Sequence, residues 1–124
     1  MTPSLLIVED DRELQELYSV MLEGLGCEIT IVDDGVQGVE ALETIEADVV
    51  ILDILLEGMM GDEFYRRMRQ EPRHRETPVV IVSVLSRDRC EEMMEMDSRT
   101  VFLRKPFRKR DLVEAVVRGL GREA

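Results

Sequence analysis

The chain has 124 residues, and its 27 Asp and Glu against 16 Lys and Arg give a formal net charge of -11. The length suits one domain with a real core, expected over residues 1–124, and the acidity argues against direct nucleic-acid binding and against an anionic membrane surface. There is no long apolar run and no basic leader ahead of a cleavage site, and Cys27 and Cys90 lack metal-like spacing. These features predict a soluble, non-exported, cytoplasmic protein.

Residues 4–8 form a short apolar run that stops at Glu9-Asp10-Asp11. Leu14, Leu17, Tyr18, Met21, Leu22 and Leu25 then recur at helical spacing, with Gly26 as a stop and Asp10 or Asp11 as the cap. Residues 27–32 predict a second strand. Asp33-Asp34-Gly35 predicts a turn into a helix that faces Val36, Val39, Leu42 and Ile45 inward. A third strand carries Asp53 within Val49-Val50-Ile51-Leu52-Asp53-Ile54-Leu55-Leu56, otherwise wholly apolar. Such a run suits a strand buried on both faces, with the carboxylate placed at its C-terminal end rather than in the core.

A glycine-punctuated loop, residues 57–61, leads to a third helix that packs through Phe64, Tyr65 and Met68 and ends before Pro72. His74, the only histidine, lies in the charged segment 72–76 and reads as a surface-loop residue with no orienting partner. Residues 79–82 predict a fourth strand ending at Ser83. A fourth helix, capped by Ser86 or Asp88, carries Met93, Met94 and Met96 as packing residues. Residues 100–103 predict the last strand, followed by Arg104-Lys105-Pro106-Phe107. The closing helix starts near Arg110 or Asp111. Five β-α repeats of this kind require right-handed crossovers and a parallel sheet covered on both faces, an α/β doubly wound fold.

A lone Asp53 could simply cap a turn. Other strand ends converge on it, however: Glu9 and Asp10 end the first strand, Ser83 the fourth, and Lys105 follows the fifth. Three carboxylates at one rim repel without a cation, and an all-oxygen site suits Mg²⁺ completed by a phosphate. Lys105 is a point charge suited to a phosphoryl oxygen, and Ser83 is a hydroxyl donor. A carboxylate can act as a nucleophile toward phosphorus, with this set neutralising the equatorial oxygens.

On Leu6-Ile7-Val8-Glu9-Asp10-Asp11, Asp48-Val49-Val50-Ile51-Leu52-Asp53, Gly61, Thr77-Pro78-Val79-Val80, Ser83 and Lys105-Pro106-Phe107, the chain closely resembles the receiver domain of bacterial two-component response regulators. The resemblance implies a flavodoxin-like (β/α)5 fold with strand order 2-1-3-4-5. It also implies Asp53 as phosphoacceptor, and a Mg²⁺ held by Asp10, Asp53 and the Leu55 carbonyl, with Glu9 acting through metal-bound water. Ser83 and Phe102 become the switch residues, and Lys105, joined to Pro106 by a cis bond, the partner of the phosphoryl group. The implied partners are a histidine kinase or phosphotransfer protein, and a downstream protein or output domain outside this chain. The implied readout is the face of the fourth helix, fifth strand and fifth helix, on a monomer or weak homodimer through that face. Such a protein catalyses its own aspartyl phosphorylation and slow dephosphorylation without turning over other substrates.

The chain departs from the family pattern at several points. Glu57 stands where a proline is usual, Met60 where an aspartate is frequent, Val84 where alanine or glycine is preferred, and Ser98 where glycine is usual. Leu55 and Leu85 occupy the positions flanking the path of hydrolytic water, so both predict a long-lived phosphoryl group, with Val84 as a further rate-modulating residue. Two other readings remain at this stage. One is an atypical receiver acting as a phosphorylation-independent interaction module. The other is an aspartate-nucleophile phosphohydrolase, disfavoured because Leu55 sits where a second acid/base aspartate is expected.

Overall fold

The computed structural model describes residues 2–122, so the ends of the expected domain, Met1, Glu123 and Ala124, lie outside the described residues. Five strands, β1 (Ser4–Val8), β2 (Glu28–Val32), β3 (Val49–Asp53), β4 (Val79–Ser83) and β5 (Thr100–Arg104), alternate with five helices. The helices are α1 (Arg12–Leu22), α2 (Gly35–Thr44), α3 (Gly61–Gln70), α4 (Arg87–Met93) and α5 (Lys109–Gly119). All pairings are parallel in the order β2-β1-β3-β4-β5, the expected doubly wound, flavodoxin-like arrangement.

Local chemistry starts the helices where polar residues follow the strands. Asp11 caps α1 by accepting from the Glu13 and Leu14 N–H groups, Asp34 caps α2 through Gln37, and Ser86 caps α4 through Arg89. Gly26, in the left-handed region at φ 68°, closes the short 3-10 turn that extends α1.

The pleat divides the core in two. Leu6, Val8, Val50, Leu52, Val79, Ile81 and Phe102 face α2, α3 and α4. Leu5, Ile7, Val49, Ile51, Val80, Val82 and Leu103 face α1 and α5. β1, β3 and β4 are buried on both faces, which is why their sequences are apolar runs rather than alternations.

Three expectations change. Val36 is 50% exposed, because Gly35 and Gly38 take the inner positions of α2. A Cβ on Gly38 would stand 2.7 Å from the Phe64 ring, so the α2–α3 approach needs glycine there. On α1, Tyr18 and Leu22 are buried but Leu17 is 46% exposed, since the stripe is broader than the contact. α4 ends at Met93; Met94 is buried and Met96 packs from the following segment.

His74 is the largest correction. It is fully buried, not on the surface, and its Nε2 accepts from the Ala47 N–H at 3.2 Å. Pro72–His74 form a 3-10 turn in which Arg73 and Arg75 point outward while the imidazole turns in. The charged neighbours that suggested a solvated loop therefore describe only the outer side of that turn. Burial, reinforced by Arg73, pushes the His74 pKa down.

Candidate phosphoacceptor and cation site

The two-residue period of the strands builds this site. Glu9 continues the Leu5-Ile7 row, Asp53 the Val49-Ile51 row, and Lys105 the row of Leu103, all on the α1/α5 face. Ser83 instead continues the Val79-Ile81 row on the opposite face. The first three side chains meet: Lys105 Nζ is 3.2 Å from Glu9 Oε1 and 3.1 Å from Asp53 Oδ2. Glu9 is 1% and Asp53 5% exposed, so the ammonium is their counter-charge in a poorly solvated place.

Backbone N–H groups fix the remaining oxygens. Glu9 Oε2 accepts from the Asp11 N–H at 3.1 Å, and Asp53 Oδ1 from the Leu55 N–H at 3.3 Å. Ser83 Oγ accepts from the Leu85 N–H at 3.1 Å and is buried. Gly61 lies against the Asp53 carbonyl so closely that a Cβ would collide with its oxygen. The Gly61 N–H donates to the Ile54 carbonyl, tying the start of α3 to the end of β3. The Lys105–Pro106 bond is cis.

Electrostatics mark the acidic rim as under-neutralised. Burial, and then the Asp53 charge, push the Glu9 pKa up to about 7 against the opposing pull of the Asp11 N–H and Lys105. Burial alone would lower the Lys105 pKa, but the adjacent Asp53 and Glu9 carboxylates outweigh it and the net shift is upward. Carboxylate oxygens of Glu9, Asp10 and Asp53 lie within 4.8 Å of one another, and Asp10 is exposed at the open side. Hard oxygen donors at that spacing, one of them held at a raised pKa, fit Mg²⁺ with several waters retained.

Of the residues singled out in the sequence, the structure gathers Glu9, Asp10, Asp53 and Lys105 into one site. Leu55 is 41% and Val84 54% exposed on the loops after β3 and β4, while Leu85 is half-buried. Phe102 lies half-buried on the other face of the sheet. Arg87 and Arg118 pair within their own helices with Glu91 and Glu114.

Two features were not read from sequence. Tyr18, treated as one member of an apolar stripe, lies beneath the site with its hydroxyl buried; a phenol in an aliphatic row was the only signal. Arg69 bonds the His74 and Thr77 carbonyls and the Asp97 carboxylate, and sits 5.1 Å above the Tyr65 ring. Tyr65 in turn shares a 2.7 Å hydrogen bond with Thr100. This network ties α3 to the segment before β5, and nothing in the local pattern announced it.

Residues 5–117 match the model of the response regulator receiver domain. The chain is 29% identical over 117 residues to the DNA-binding response regulator MtrA of Mycolicibacterium paratuberculosis, covering 94% of this chain and 50% of that protein. It thus spans about half the length of this relative. The receiver domain of the sensor histidine kinase PA1611 of Pseudomonas aeruginosa, solved with magnesium in its active-site cleft, superposes with a TM-score of 0.84. Identity there is 28%, with 98% of this chain and 99% of that one covered. The signal receiver domain of a histidine kinase from Syntrophus aciditrophicus gives a TM-score of 0.87 at 29% identity, over 97% and 91% of the two chains. The strand order, the acidic rim bridged by Lys105 and the match along nearly all of the sequence agree, and the chain belongs to the response regulator receiver domain family of two-component signalling.

Proposed function

We propose that the chain, as a single receiver unit, is a phosphoryl-accepting switch in which Asp53 takes a phosphoryl group from a phosphohistidine. The observation that carries this reading is the Lys105 ammonium held between Asp53 and Glu9 at the ends of three strands. An Asp53 oxygen attacks phosphorus in line, the P–N bond breaks, and its electron pair leaves with the imidazole; an acyl phosphate forms. No general base is needed to activate a carboxylate. Glu9, Asp10, Asp53 and the Leu55 carbonyl would hold Mg²⁺, which when bound offsets charge on the phosphoryl oxygens.

Lys105 and the Ser83 hydroxyl then bind the new oxygens. The Ser83 hydroxyl, which accepts from the Leu85 N–H, keeps its own hydrogen to donate, and as it swings toward the phosphoryl group the loop before α4 follows. Phe102 lies on the same sheet face as Ser83, which suits it to move with that loop and alter the surface of α4, β5 and α5. Val101, 44% exposed on the edge strand, supports that surface as the one a downstream protein, an output domain or a weakly bound second copy would read. The phosphodonor is a histidine kinase or phosphotransfer protein of the cytoplasm.

The test is incubation with Mg²⁺ and acetyl phosphate or beryllofluoride. With acetyl phosphate wild type should gain one base-labile phosphoryl group per chain, either reagent should change its backbone amide spectrum, and Asp53→Asn should do neither. A wild-type chain silent at saturating donor would make it an interaction module independent of phosphorylation.

A further inference from the structure

Tyr18 carries a group that the phosphoacceptor chemistry above does not use. The residue is 1% exposed, and its hydroxyl has no hydrogen-bond partner among the described residues. Its ring stacks on Phe107, with centroids 5.9 Å apart and planes at 10°. Phe107 is two residues beyond Lys105, so the stack lies under the turn that presents the ammonium. α1 starts at the rim where β1 ends, and helical side chains lean toward the N-terminus. The phenol therefore leans toward the site, and its hydroxyl lies within the field of Glu9 and Asp53.

Packing does not explain the oxygen, since phenylalanine would fill the same space and keep the stack. Buried tyrosine hydroxyls ordinarily have partners. Each Glu9 oxygen already takes one donor, Oε1 from Lys105 and Oε2 from the Asp11 N–H. That pairing changes once Asp53 carries a phosphoryl group. Three anionic oxygens then compete for Lys105, and the buried Glu9 oxygen loses its donor.

We propose that Tyr18 is a positioning residue whose hydroxyl becomes the hydrogen-bond donor to the Glu9 carboxylate, directly or through one water, when Lys105 turns from Glu9 to the phosphoryl group on Asp53. This rests on the switch reading above and assigns a further residue to the same site. The stack on Phe107 holds the ring in place, so the donor is ready without a side-chain rearrangement. In the resting protein the hydroxyl contributes nothing; in the phosphorylated one it keeps Glu9 oriented and frees Lys105.

The experiment compares wild type with Y18F as full chains. Thermal unfolding without ligand should be unchanged or slightly higher for Y18F, which keeps the ring and removes an unpaired donor. Beryllofluoride binding in Mg²⁺, followed by calorimetry, should weaken about tenfold, equivalent to about 1.4 kcal/mol for one charge-assisted hydrogen bond. In a Glu9→Gln background the further loss from Y18F should shrink, because the carboxylate it serves is gone. Equal binding by wild type and Y18F would overturn the assignment, as would an undiminished Y18F effect alongside Glu9→Gln. A wild-type chain that takes up no beryllofluoride would instead overturn the switch reading itself.

Discussion

Lys105 and Asp53 meet across the sheet with Nζ 3.1 Å from Oδ2, and the same ammonium reaches Glu9. The Lys105 side chain is 18% exposed and both carboxylates are more buried still. Replacing Lys105 by methionine would leave two adjacent buried carboxylates without a counter-charge. The expected loss of stability in chelator is about 3 kcal/mol, the lower end for a broken buried pair because Lys105 is partly exposed. Millimolar Mg²⁺ should recover part of it, because the cation replaces the missing charge. Urea unfolding with and without Mg²⁺ measures this, and a K105M penalty that Mg²⁺ leaves untouched would contradict the picture of one shared anionic site.

Gly61 couples β3 to α3. A Cβ there would collide with the Asp53 carbonyl oxygen and stand 2.6 Å from the Ile54 Cα, and neither backbone atom can swing aside as a side chain would. Gly61→Ala should cost about 2–3 kcal/mol, at the upper end for overpacking. It should also displace Asp53 and slow phosphoryl uptake. By contrast, Gly24 has nothing within 4 Å of its Cβ position, and Gly24→Ala should be neutral or slightly stabilising. Melting temperatures of the two variants give the comparison.

Buried His74 makes stability depend on pH. Its folded-state pKa lies below the ordinary value, so the unfolded chain binds a proton that the folded one refuses. The stability contributed by the neutral imidazole is therefore complete above about pH 6.5 and is lost as pH falls from there through the folded value. His74→Gln keeps an acceptor for the Ala47 N–H but does not titrate. Wild type should be the more stable of the two at pH 7.5, and that advantage should narrow or reverse by pH 5.5. A gap independent of pH in denaturant titrations would mean that His74 ionises freely in the native state.

Much of this molecule was readable because buried parallel strands write themselves as apolar runs, and a polar residue that ends such a run is conspicuous. Glu9, Asp53 and Ser83 are legible for that reason, Lys105 because it directly follows the last strand, and the caps of the first and fourth helices were each narrowed to two residues. What escaped was information carried by tertiary packing. The inner face of α2 is made by Gly38 against Phe64 rather than by Val36, which a hydrophobic pattern cannot express. His74 is buried by one tight turn within a charged segment, and Arg69 finds its acceptors on three separate elements. Tyr18 was visible as a residue but not as a donor, since only the stack on Phe107 and the nearby carboxylates give its oxygen meaning.

Leu55 and Leu85 bear on how long a phosphoryl group would persist. Both follow a site residue by two positions, and their N–H groups bond back to Asp53 Oδ1 and Ser83 Oγ. Neither side chain can hydrogen-bond an attacking water, and with Leu55 41% exposed the rim beside Asp53 is apolar where a polar group would hold water in line. The aspartyl phosphate should therefore decay slowly, over many minutes or longer without a phosphatase. Leu55→Asn combined with Leu85→Glu should shorten that lifetime about tenfold or more, a change of at least about 1.4 kcal/mol in the barrier. Folding stability should move little with Leu55→Asn, since so much of that side chain is already in water. Val84→Ala removes exposed bulk beside Ser83 and should speed phosphorylation by acetyl phosphate while leaving the decay rate nearly unchanged. Decay of radiolabelled phosphoprotein after donor removal reads the lifetime, and a wild-type half-life of seconds would refute the role given to the two leucines.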